Sequence, residues 1–191
     1  MSHLERRQKE KEDIKQRILD VARKIAAKEG WHALTIRKIA DEIEYTPPIV
    51  YEYFENKEDL IREIIYAGFS MLSKKISDAR QSKTDPKELL RILSLIHWDF
   101  AFGNVELYQL MFSLEKPVPD EEMVSNWRFI HSIFLEVATN KELLHDHIFN
   151  WLCLIHGAIS IIMKNPSLPN QGGKNPRDIY ASMINRFINS L

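Results

Sequence analysis

The chain has 191 residues, of which 45% are hydrophobic, and its 26 Lys and Arg nearly cancel 27 Asp and Glu to a formal charge of −1. That length allows a buried core in one domain or in a small domain fused to a larger one, and the near-neutral charge gives no support of its own to a nucleic-acid partner. Only 6 Gly and long helical periodicity point to an all-α protein, while the single cysteine, Cys153, excludes an intrachain disulfide framework.

Residues 1–10 are charged and are expected to fray, or to extend the first helix as a solvated turn in preference to acting as a minor-groove arm. Basic residues crowd this end, from Arg6, Arg7, Lys9 and Lys11 on to Lys28. The first helix is predicted from about Lys11 to Glu29. Ile14, Ile18, Val21, Ala22 and Ile25 lie on one stripe, and Gly30 stops the helix as its C′ residue. Thr35 then caps a second helix, with Leu34 and Ile39 as a hydrophobic staple. Ile36, Ile39, Ala40 and Ile43 form its apolar face. Glu44 and Tyr45 make a turn. Thr46 caps a third, short helix with Pro47 at its first position, where a missing N–H costs nothing. Val50 and Phe54 face inward.

Asn56 caps a fourth helix that starts at Lys57 and runs to about Arg80, with Ile61, Ile64, Ile65, Phe69, Leu72 and Ile76 as a long buried stripe. The run Gln81–Pro86 breaks it. Asp85 and Pro86 open a fifth helix that is apolar nearly all round, as expected of a helix in the middle of a bundle, and Gly103–Asn104 ends it. A short helix is predicted over Val105–Leu114, a loop over Lys116–Asp120, a seventh helix over Glu121–Thr139 and an eighth over Lys141–Lys164. Asn165–Asn175, with Pro166, Pro169, Gly172 and Gly173, reads as a surface loop. Asn175 and Pro176 open a last helix striped with Ile179, Met183, Ile184, Phe187 and Ile188. No run approaches the roughly 18 apolar residues of a membrane-spanning helix. With no signal peptide and one cysteine, a cytoplasmic protein without a membrane partner is expected.

Thr35–Lys57 organises the rest. A capped helix, a tight turn and a second short helix with an exposed start are what a helix-turn-helix needs to enter a major groove. These residues resemble the TetR family of transcriptional repressors: Thr35, Arg37, Ile39 and Ala40, then Val50, Tyr51, Tyr53, Phe54, Lys57 and Leu60. The likeness covers about the first third of the chain, with a loose echo in LYQLMF near Tyr108–Phe112. One departure stands out. The family usually has Gly then Val in the turn, and this chain has Glu44 and Tyr45. A non-Gly residue in a left-handed turn costs on the order of 1 kcal/mol.

The resemblance implies an N-terminal three-helix DNA-binding domain at 1–56 and a larger antiparallel helical domain for effector binding and dimerisation at 57–191, about nine helices in all. It assigns DNA contact to Thr35, Arg37, Thr46, Pro47, Pro48, Ile49, Tyr51, Tyr53 and Lys57. The chemistry of those side chains agrees. Hydroxyls, helix N-termini and Lys57 suit phosphates, Arg37 suits the two acceptors of guanine, and the prolines and Ile49 suit thymine methyls. Arg37 has a competing role as ion-pair partner of Asp41. Glu42, Glu44, Glu52 and Glu55 are expected to face away from a polyanion or to lower nonspecific affinity.

In the second half, His97, Trp98, Phe102, Met111, Phe112, Trp127, His131 and Trp151 are candidates for a mainly apolar effector pocket, although any one of them is more simply an aromatic core residue. Trp151, Ile155, Ile159 and Ile162, with Met183 and Phe187, are candidates for a four-helix interface with a second copy. Cys153 with His156, and His145 with His147, make no metal site, and no catalytic or phosphate-loop motif is present; no cofactor is expected. The reading is a homodimeric repressor that binds a palindromic operator and is released by a small effector. The rivals are an activator of the same type, and a helical enzyme or carrier with a vestigial DNA-binding head.

Overall fold

A computed structural model describes residues 3–82, 84–112, 121–167 and 173–191. All regular elements among the described residues are helical: α1 (His3–Glu29), α2 (Ile36–Glu42), α3 (Pro47–Tyr51), α4 (Lys57–Arg80), α5 (Pro86–Gly103), α6 (Val105–Met111), α7 (Glu121–Val137), α8 (Leu144–Lys164) and α9 (Pro176–Asn189), with single 3-10 turns at Trp31–Ala33 and Lys141–Leu143. The all-α architecture expected from the sequence is the one found. The expected loop at 116–120, the end of the sixth helix past Phe112, and the middle of the 165–175 loop lie outside the described residues.

Two helix starts move. Helix α1 begins at His3, not near Lys11. Every described side chain before Ile14 is exposed, so propensity sustains these turns in place of packing; Arg6 Nε pairs with Glu10 at 3.3 Å one turn on. Helix α8 begins at Leu144, not Lys141, because Asn140 Oδ1 accepts the Glu142 N–H at 2.9 Å and tightens the entry into a 3-10 turn.

The described residues fall into two compact units, drawn from Met1–Gly68 with Leu110–Pro117, and from Phe69–Gln109 with Val118–Leu191. In the first unit, α1 buries Ile18, Leu19, Val21, Ala22, Ile25 and Ala26, all on one side. Leu34, Ile39, Ala40, Ile43, Val50, Phe54, Leu60 and Ile64 complete that core, none more than 1% exposed. Burial of each large apolar side chain contributes roughly 1.5–3 kcal/mol. Lys15 Nζ reaches Glu63 at 2.8 Å and ties α1 to α4. Gly30 ends α1 with φ 82°, and a Cβ there would stand 2.9 Å from the His32 ring, so the position requires glycine.

In the second unit, α5 packs against α7, α8 and α9. Leu90, Leu93, Phe100 and Ala101 of α5 meet a core that also buries Phe134, Trp151, Ile155, Ile159, Tyr180 and Ile188. Asp85 Oδ2 accepts the Glu88 N–H at 3.1 Å and Asn175 Oδ1 the Arg177 N–H at 2.9 Å, the two caps the sequence specified. Arg177 clamps Asp99 through Nε and one terminal nitrogen, both at 3.1 Å, joining α9 to α5.

The expectation that nothing approaches a membrane-spanning length needs correction. Residues 141–164 are long and apolar enough by length and composition, with mean hydropathy 1.3. One face of α8 enters the core through Trp151, Ile155, Ile159 and Ile162.

Candidate nucleic-acid interface

The interface candidate is the front of α2 and α3. Thr35 caps α2, its Oγ1 accepting the Lys38 N–H at 3.2 Å. Its hydroxyl hydrogen stays available, since a hydroxyl both accepts and donates. Lys38 is drawn back by an ion pair with Glu29. Arg37 is exposed and makes no ion pair with Asp41 among the described residues. The local pairing that competed with an outward role for Arg37 is not formed.

The turn has a specific shape. Tyr45 N donates to Ala40 O at 2.9 Å and Glu44 N to Asp41 O at 3.2 Å, the 6→1 and 5→2 bonds of a Schellman motif. That motif needs a left-handed residue at C′, and Glu44 supplies it with φ 63°, the one non-glycine with positive φ among the described residues. The strain expected from the missing glycine is present. Ala40, fully buried, keeps the crossing with α3 close.

Thr46 departs from expectation. It occupies the N-cap position of α3 with φ −91° and ψ 152°, but its hydroxyl makes no capping hydrogen bond. A cap side chain can accept from the second or third helical N–H. Pro48 has none, and Ile49 N donates to the Thr46 carbonyl at 3.0 Å instead. The hydroxyl is therefore left at the exposed tip. Thr46 and Pro48 are exposed, Pro47 and Ile49 half-buried, while Val50 (0%) and Phe54 (1%) anchor the helix from behind. Tyr51 is 55% exposed. Tyr53 is half-buried, and burial, then the nearby Glu52 and Tyr45, push its phenol up.

Lys57 is half-buried at the first position of α4. Asn56 Oδ1 accepts the Asp59 N–H at 2.8 Å, and Asp59 Oδ2 reaches back to accept the Glu55 N–H at 3.2 Å, one residue before the cap; the two bonds fix this helix start. All nine candidates thus lie in the first unit. Glu42, Glu44, Glu52 and Glu55 are all exposed in the same unit.

The effector candidates divide between the two units. Met111 and Phe112 belong to the first unit and the other six to the second. Trp127 (44%) and Phe102 (36%) are exposed; Phe102 stacks on Trp98 with ring centroids 4.2 Å apart. His131 is half-buried near His145. His97, Trp98 and Trp151 are buried, and the His97 and Trp151 rings meet edge-on at 5.9 Å.

Four residues outside the sequence-derived candidates complete that interior. Ser94 Oγ accepts the Trp151 Nε1–H at 2.9 Å and donates to Leu90 O at 2.7 Å; Tyr180 donates to Ser94 O at 2.8 Å. Tyr108 and His156 share a 2.5 Å hydrogen bond between Oη and Nδ1. His97 Nδ1 donates to Leu93 O at 2.8 Å. Burial lowers the His97 imidazole, against the opposing backbone hydrogen bond. Burial, then the neighbouring His97, lowers His156 to about 4, so both rings are neutral near pH 7. The signal that would have found Ser94 was a small polar residue on the inner stripe of LLRILSLIHW. The partner of Tyr108, 48 positions away, left no local trace. A separate cleft of about 510 Å3 between α5 and α9 is lined by Arg91, Leu95, Ile184 and Asn185 among others, and by none of the eight candidates.

The dimer candidates need a register correction. Trp151, Ile155 and Ile159 are 0% and Ile162 8% exposed: they are the protomer's own core. On the opposite stripe Phe149 (66%), Cys153 and Ile161 (51%) face out, with the half-buried Gly157 between them at the same four-residue spacing. Met183 and Phe187 are half-buried.

Residues 18–64 match the family model of bacterial regulatory proteins of the tetR family. The fatty acid metabolism regulator protein of Bacillus subtilis is 25% identical over 99 residues, 52% of this chain and 51% of that protein. The HTH-type transcriptional repressor NicS of Pseudomonas putida is 31% identical over 97 residues, 49% of this chain and 44% of NicS. The chain thus spans about half the length of the curated relatives it matches. Among solved structures, a single-site variant of TetR from Acinetobacter baumannii in complex with minocycline superposes with a TM-score of 0.68 at 13% identity, over 91% of this chain and 93% of that one. Residues 18–64 are thus similar to bacterial regulatory proteins of the tetR family, and over 91% of its length the chain shares the fold of that TetR structure.

Proposed function

We propose that this chain is a homodimeric, effector-responsive repressor, with a DNA-binding head at 1–56 and an effector-binding and dimerisation domain at 57–191. The observation that carries the reading is the tip of α3. Thr46 and Pro48 stand exposed in front while Val50 and Phe54 hold the helix rigidly from behind. A rigid helix start with its hydroxyl uncommitted is suited to base edges and phosphates in a major groove.

The outward α8 stripe supports the dimer. A helix with Phe149 and Ile161 both more than half exposed leaves an apolar face that a symmetry mate would cover. Gly157 has open space where a Cβ would stand, which permits close approach. Two-fold pairing puts two α3 tips about one turn of DNA apart and requires a palindromic operator. A small, largely apolar effector favours another separation of the tips. Helix α4, continuous from Lys57 to Arg80, carries the change. The coupling is reciprocal, and about 100-fold release needs only ~2.7 kcal/mol of differential affinity.

The test is selection of duplexes from a randomised pool by the wild-type chain, followed by binding of Arg37→Ala. Expected are two-fold symmetric sequences and a loss of about 5–150-fold in the variant at one base position of each half-site. Failure to enrich any duplex would overturn the reading.

A further inference from the structure

The first three turns of α1 bury nothing, yet they stand beside the proposed reading helix. Described side chains from His3 to Asp13 are all exposed, so the helix projects past its last buried contact by roughly 16 Å at 1.5 Å per residue. The stretch propagates a helix already nucleated by its packed part, and its side chains are left free for another use. One flank of it faces α3. Arg7, Lys11 and Ile14, at i, i+4 and i+7, line a cleft of about 590 Å3 whose other wall is Ile49, Glu52 and Tyr53.

The two cations on that flank are uncommitted. Arg6 on the neighbouring flank pairs with Glu10, and Lys15 further along pairs with Glu63. Arg7 and Lys11 make no ion pair among the described residues. Glu10 and Glu52 also line the cleft, so two carboxylates oppose the cations there. Glu10 is already held by Arg6, which leaves Glu52 as the opposing charge. Ile49 and Glu52 are consecutive-turn neighbours of the exposed α3 tip. The flank therefore stands within one helical turn of the tip, since Ile49 directly follows Pro48.

We propose that Arg7 and Lys11 form a second DNA-contact element, a basic helical flank that holds the phosphate backbone beside the base-reading tip. The inference rests on the DNA-binding reading of α3. It supplies affinity without sequence choice, because phosphate contacts position a protein and base contacts specify. It also supplies cations next to the tip, where Lys38 is already paired with Glu29.

The experiment uses the duplex that the wild-type chain enriches from a randomised pool. Binding of that duplex is measured from 50 to 200 mM salt for wild type, Arg7→Ala/Lys11→Ala and Lys9→Ala/Lys24→Ala, with Arg7→Lys as the charge-preserving variant. The two double variants lose equal charge from one helix, but only the first loses it from the cleft flank. Expected for the first are a Kd about tenfold higher, a salt slope shallower by roughly 1.8 for two phosphates, and an unchanged sequence preference. Arg7→Lys keeps the slope. Equal losses in both double variants, or none in either, overturn the proposal while leaving the α3 reading intact. A wild-type chain that enriches no duplex overturns both. Helical content by circular dichroism separates loss of contact from loss of the extension itself: a drop in the first double variant alone would assign the effect to folding and overturn the proposal.

Discussion

Tyr108 Oη and His156 Nδ1 lie 2.5 Å apart although 48 residues separate them, and His156 sits in a wall shared with the His97 ring, 6.0 Å away centroid to centroid. Burial sets the protonation of this pair. His156 is lowered to about 4, first by burial and then by His97, and His97 is itself lowered by burial. An unfolded His titrates near 6.5. The unfolded chain therefore binds more protons than the folded one between those values. Stability from this site is full above about pH 6.5 and declines as pH falls toward 4, by roughly 3 kcal/mol for His156 alone. Urea unfolding from pH 4 to 7.5 measures it, and His156→Gln should flatten the slope. An equally steep slope in that variant would refute the assignment.

The two threonines at the helix starts should behave differently. Thr35 Oγ1 caps α2 and Thr46 caps nothing. Thr35→Ala is expected to cost about 1 kcal/mol and Thr46→Ala to stay within about 0.5 kcal/mol. On the proposed function, the same Thr46→Ala weakens duplex binding through the lost hydroxyl. Equal destabilisation of both variants would contradict the cap geometry.

Glu44 holds the left-handed position of the Schellman turn with φ 63°. Glycine adopts that conformation without the Cβ penalty. Glu44→Gly is expected to raise stability by about 0.5–1 kcal/mol, seen as a Tm higher by a few degrees, where a glycine in a regular helix would lower it. It also removes one carboxylate from the α2–α3 face, so binding to any duplex should tighten. A lower Tm would show that the turn does not depend on that angle.

Helix α8 presents two stripes with opposite fates. Ile155 is fully buried and Ile161 is 51% exposed. Ile155→Asp should unfold the chain, at a cost above about 4 kcal/mol for an unpaired buried charge. Ile161→Asp should leave helical content unchanged and, on the proposed dimer, shift the sedimenting species to a monomer. A wild-type chain that sediments as a monomer would remove the dimer from the proposal.

Much of this was legible along the chain. Caps and breakers such as Thr35, Gly30, Asp85–Pro86 and Asn175–Pro176 act within one turn, so their signals are local and the helices they bound were readable. The strain at Glu44 was readable for the same reason, because a turn of fixed geometry restricts φ at one position. The 3.6-residue period also located an apolar stripe on α8.

What periodicity could not settle was which neighbour that stripe meets. Trp151, Ile155 and Ile159 read equally well as a protomer core or as an interface between copies, and only packing against α5 and α9 decided for the core. Aromatic residues likewise signal burial and not a shared site, and Met111 and Trp127 belong to different units. Contacts such as Tyr108 with His156, and the cleft joining Arg7 to Ile49, bring together residues about forty or more positions apart. Hydrophobic pattern fixes which side of a helix is dry, because that depends on a residue's own chemistry and spacing. Which polar atoms then meet depends on how the helices cross, and that is a property of the assembled fold alone.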